Sequence, residues 1–150
     1  MASDLRARTV VIDDADDPIE FCYEQGWTDG LPVVPPTSDK VQRAIAASRR
    51  DGDDVVCEYI ERNRVVTVEH VAMNAVMAGC KPEYLPVVLA IVEAMSEPSF
   101  GLHAANATTG GSAVGFIVNG PVRTRLGMNF RGMCSARATG PTRLSAAPCV

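Results

Sequence analysis

Hydrophobic positions recur at helical spacing in four stretches of this chain, and β-branched residues cluster in a fifth. Asp17-Pro18 opens the first helix, since Pro suits the first helical position and Asp the cap. Phe21, Cys22 and Trp27 give it apolar positions, and Gly26 stops it. Thr37 or Ser38 caps a second helix through about Arg49, with Val41, Ala44, Ile45 and Ser48 on one stripe. Residues 55–60 and 64–68 are β-branched runs flanking Glu61-Arg62-Asn63, the pattern of a β-hairpin. Thr67 caps a third helix through Ala78, with Val71, Ala75, Val76 and Ala78 inward and Gly79 as its stop. Pro82 opens a fourth helix to about Met95, and Pro98 bars its continuation. Residues 102–111 read as a polar loop, and residues 113–118 as a short buried strand ending at Asn119-Gly120-Pro121.

The sum is an α+β fold of about four helices, a β-hairpin and one further short buried strand. It forms a single domain over residues 17–130, behind a flexible acidic leader at 1–16. Between the first two helices, residues 26–37 are too rich in Gly and Pro for a helix or a central strand. They carry Trp27, Leu31, Val33 and Val34, so an ordered, extended loop that buries those side chains is expected.

Composition narrows the function classes. The chain has 150 residues, 47% hydrophobic and 21% charged, which excludes wholesale disorder. The longest apolar run, residues 84–95, is shorter than the ~20 residues of a membrane span and reads as a buried helix. A net charge of -4 and 5% aromatic residues argue against a nucleic acid binder. Residues 1–17 lack the apolar core of a signal peptide, and five cysteines form an odd set without a C-x-x-C pair. Reduced thiols in a cytoplasmic protein are expected. Charge is uneven: residues 98–150 hold five Arg and no acid. A basic tail, a separate segment or a reading error would each produce that break.

Candidate chemistry centres on Ala78-Gly79-Cys80-Lys81-Pro82-Glu83. Cys80 lies between one helix end and the next helix start, where N–H groups, the dipole and Lys81 favour thiolate. That placement suits a nucleophile, a redox thiol or a metal ligand, and equally a small residue filling a tight turn. His70 and His103 are the only imidazoles; either could partner the thiol or be structural. No set of three well-spaced ligands suggests zinc, and no cofactor is assigned. Asp29 could act as a general base or close an Asx-turn. Asn74 is placed inward, tying helix to loop or facing a site. Asn106, Thr108, Thr109 and Gly110 belong to a loop able to offer N–H groups to an anion, although a plain surface loop has the same letters.

Three segments, GWTDGLPVVPPT from Gly26, VEHVAMNAVMAGCKPEYLPVVLAIVEAM from Val68 and ATTGGSAVGFIVNGPVRTRLGMN from Ala107, resemble a largely uncharacterised bacterial family. That family is often encoded beside, or fused to, small (seleno)proteins named for a U/C-G-S-C motif, which this chain lacks. The resemblance implies an enzyme-associated role with thiol or selenol chemistry. Together with the residue chemistry above, the expectation is an enzyme domain or subunit with thiol-dependent chemistry on a small organic substrate, acting with a UGSC-type (seleno)protein. The resemblance shifts Cys80, Asp29, Asn74 and the Asn106–Gly110 loop towards function without assigning roles. Taken with the residue chemistry above, Cys80, Asp29 and His103 are the catalytic candidates, and Trp27, Asn74, Lys81, Asn106, Thr108, Thr109 and Gly110 the substrate-binding ones. A non-catalytic partner or scaffold subunit of that protein is the alternative, as is a nonfunctional truncated product. An oligomer stays open. Family members continue past Asn129 with a stretch of the form GPGxRANATIGRALRL. GC-rich back-translation of residues 132–150, read one frame over, permits GHVLGPGHRANATIGRALR. A frameshift before Gly132, with residues 131–150 a non-native tail and the domain incomplete, is therefore expected. Resequencing the locus tests it.

Overall fold

Asp17 accepts the Ile19 N–H (2.9 Å) and Pro18 fills the first position of α1 (Pro18–Glu24), as the sequence dictates. The structure, a computed structural model, describes residues 5–13, 16–59, 63–107 and 114–128. Helix α2 (Ser38–Ser48) ends at Arg49, a non-glycine residue in the left-handed region (φ 58°). Strands β1 (Val55–Tyr59) and β2 (Arg64–Thr67) pair antiparallel, and β2 runs directly into α3 (Val68–Met77). A 3-10 turn, Pro82–Tyr84, leads into α4 (Leu85–Ser96).

The core lies where α2, α3 and α4 meet. Val41, Ala44 and Ile45 of α2 face Val68, Val71, Ala72, Ala75 and Val76 of α3, and Leu85 and Leu89 of α4 close the cluster. Burying each such side chain contributes roughly 1.5–3 kcal/mol, which is what holds three short helices together. The hairpin lies against α4. Its register shifts between Val55 and Cys57, so one extra residue bulges there. The bulge lets Cys57 be buried while neighbouring Val56 also packs on the core, which strict alternation would forbid. Arg50 ties the pieces from outside, pairing with Glu93 of α4 and Asp54 of the turn. Its bond to Glu93 raises the guanidinium's already high pKa.

Four expectations need correction. Leu102–Ala107, read as a polar loop, is a helix, α5. Pro121, read as closing a strand, instead opens another helix, α6 (Pro121–Arg125); Pro at a first helical position signals it as clearly as at Pro18. Residues 114–119 form no strand and are not buried, for Ile117 is 90% exposed. A buried strand needs a ladder partner, and among the described residues the hairpin supplies none. Helix α4, read as buried, buries only Leu85 and Leu89, because among the described residues no layer covers its outer side. The α+β class of a single domain stands. No described helix is long and apolar enough to cross a membrane. Glu61, Arg62 and the tail beyond residue 130 lie outside the described residues.

The acidic leader, read as flexible, is tied down at residues 5–7. Leu5 packs on the core, and Glu69 of α3 accepts the backbone N–H groups of Arg6 (3.1 Å) and Ala7 (2.9 Å).

Candidate functional site

Ala75, Val76, Gly79 and Cys80 decide what the C-terminal end of α3 can do. The Cys80 N–H donates to the Ala75 carbonyl (2.9 Å) and the Gly79 N–H to that of Val76 (2.8 Å). With Gly79 at φ +77°, this is a Schellman motif, whose second residue past the cap normally makes an apolar contact. Cys80 makes it, half-buried against the core. Burial pushes the thiol pKa up, opposite to the thiolate expected there. The reason lies in the next element: the turn at Pro82–Tyr84 is a single 3-10 turn capped by Lys81, so Cys80 precedes the cap. The spacing therefore describes a helix stop with a small apolar plug. Cys22 and Cys57 are buried too, and burial raises the Cys22 pKa.

The Gly-Pro loop divides in two. Its second half lies beside Cys80: the Val34 N–H donates to Met77 O (3.0 Å), and a Cβ on Gly79 would stand 3.7 Å from the Val34 side chain. Its first half turns away onto α1, where Trp27 packs edge-on against Phe21 (centroids 6.0 Å) and its N–H donates to Cys22 O. Asp29 is exposed. Thr28 closes the turn in its place, donating to Leu31 O (2.7 Å) and accepting the Gly30 N–H. Beside it opens a groove of about 360 Å³, lined by Ile19, Glu20, Tyr23, Thr28, Gly30, Leu31 and Pro32. Cys80 is not among them.

The remaining candidates that are described, Asn74 and Lys81, are exposed. For Asn74 this is contrary to the inward placement, and its amide donates to His70 O on its own helix (2.9 Å). The side chains of His103 and Asn106, and Thr108, Thr109 and Gly110, lie outside the described residues.

Polar groups gather instead at the N-terminal end of α3. Val68 and Glu69 donate their N–H groups to Asp54 O and Gly52 O (2.9 Å each), and His70 donates to the Thr67 hydroxyl (3.4 Å). Thr67 N–H in turn donates to His70 Nδ1 (3.2 Å), a capping box with His in the usual Glu position. Every first-turn donor is thus engaged by the protein itself. Glu69 is 5% exposed, the one buried charged residue among those described, and it lines a notch of about 300 Å³ with Arg6, Ala7, Asp53, Thr67 and His70. The sequence offered a signal for this end, Thr67-x-x-His70, but none for Glu69. Among the described residues no group of three or more His, Cys, Asp or Glu is placed to hold a metal ion. Comparison with protein-family models, curated proteins and solved structures finds no match.

Proposed function

We propose that this chain is a partner-binding subunit that docks another protein through the groove between α1 and the Gly-Pro loop. One observation carries the reading: Ile19, Tyr23 and Leu31 are 44%, 53% and 60% exposed and converge with Pro32 on one groove. Apolar side chains gathered in a concavity with a polar edge, here Glu20 and Thr28, mark a surface meant to be covered. The sequence resemblance supplies the partner, a UGSC-type (seleno)protein. Mixing the two purified proteins tests it. A 1:1 complex should form, should weaken at least tenfold in Tyr23→Asp or Leu31→Asp, and should persist in Cys80→Ser. Binding indifferent to both groove substitutions rejects the reading.

A second reading, thiol-dependent chemistry on a small organic substrate, has its own support. Val34 lies beside the Gly79-Cys80 turn, so a molecule held along the loop's second half would lie near the half-buried Cys80. It requires Cys80→Ser to abolish activity of the complex while leaving its assembly intact.

A further inference from the structure

Residues 5–7 bind the domain as a ligand would. Leu5 inserts against the core, the Arg6 guanidinium pairs with Asp53 (Nε to Oδ1, 2.7 Å), and two consecutive backbone N–H groups converge on the Glu69 carboxylate. The receptor side is fixed without them. Glu69 sits in the first turn of α3, its own N–H on Gly52 O, and Gly52 backs it so closely that an added Cβ would stand 3.4 Å from Ile45 and 3.7 Å from Glu69 Cβ. On the other side, residues 8–13 and 16, between the strap and α1, are mostly exposed. A carboxylate 5% exposed that accepts from two amides of one short segment needs that segment, or an equivalent, to satisfy it.

We propose that the surface formed by Glu69 and Asp53 at the start of α3 is a peptide-binding site occupied in cis by the chain's own residues 5–7. Its occupant in trans is an extended segment of a partner protein with an apolar, Arg, small-residue sequence. Recognition uses three elements: an apolar side chain on the core, a guanidinium on Asp53 and a pair of N–H groups on a buried carboxylate. Tethering gives the cis strap an effective concentration of order mM, so a partner segment succeeds when it is itself held nearby. The strap thereby sets a threshold for engagement. This inference does not depend on the α1 groove.

The test uses the full chain carrying Arg6→Pro and Ala7→Pro, which removes both N–H donors and the guanidinium but leaves Asp53, Thr67, Glu69 and His70 unchanged. An acetylated peptide of residues 5–10 is titrated into it and followed by NMR shifts of the Glu69 and His70 amides. Saturable binding at least tenfold tighter than to the unmodified chain is expected. Adding Glu69→Gln should weaken it at least tenfold, and replacing the peptide's first Arg by Ala should weaken it severalfold. No saturable binding, or binding indifferent to Glu69→Gln, overturns the proposal. Should the double-proline chain fail to fold, hydrogen exchange on the unmodified chain decides. The amides of Arg6 and Ala7 should exchange at least tenfold slower than those of residues 9–11, and equal rates overturn the strap.

Discussion

The two ends of α3 are ten residues apart and chemically opposite. At the C-terminal end the chain closes a Schellman motif through Gly79 and plugs it with the Cys80 sulfur against apolar side chains. At the N-terminal end, Thr67, Glu69, His70 and the turn at residues 51–54 consume every first-turn donor and hold a carboxylate out of water. The first end resembles a reactive site in letters, and in space its sulfur packs against the core with its pKa raised by burial. The second is unremarkable in letters and gathers the buried charge. A cysteine near a helix junction is therefore informative only once the hydrogen bonds of that junction are known. At the Cys80 junction the N–H groups of Gly79, Cys80 and Tyr84 donate to backbone carbonyls.

Substitutions sharpen the contrast, the largest at the apolar end. Leu85, fully buried where the chain returns into α4, should cost about 2–5 kcal/mol when replaced by Ala, read by urea unfolding. A smaller loss would mean that the C-terminal end relaxes and is not the packed plug described. Gly79→Ala comes next. Its new Cβ meets only an ordinary contact with Val34, so the loss of about 1–2 kcal/mol should arise from the positive φ alone. At the polar end, Thr67→Ala should cost about 1 kcal/mol. Combined with His70→Ala it should cost less than the two single losses added, because both residues belong to one capping box.

The smallest effect is a pH dependence. Burial raises the Cys80 pKa, so the folded state holds the thiol proton more tightly than the unfolded chain does. The associated stability is whole below the free thiol's value of about 8.5 and is lost as pH rises through that range towards the folded value. Thermal unfolding between pH 7 and 10 should therefore fall more steeply in the unmodified chain than in Cys80→Ala. Alkylation of Cys80 should have its midpoint above that of free cysteine; a midpoint below it would restore the nucleophile.

Local signals were legible wherever a short-range rule acts alone. Asp17-Pro18, Thr67 and Gly79 mark helix ends through hydrogen bonds spanning a few residues, and the structure keeps those ends within a residue or two. Residues 102–107 and 113–118 misled because polar letters fit a short helix as well as a loop, and β-branched letters need a partner strand to become one. The site was less legible. Asp29 and Thr28 are adjacent, and which one closes the turn depends on where Leu31 and Gly30 come to lie.

What the sequence determined by itself is the order of elements as far as α4, their caps and the apolar faces of α2 and α3, because periodicity and capping are properties of neighbours along the chain. Only the tertiary structure decided which charge is buried, which sulfur is desolvated and which segment Glu69 holds. The Glu69 contacts join residues 62 and 63 positions apart, and no local pattern encodes a hydrogen bond whose partners meet only after the core has formed.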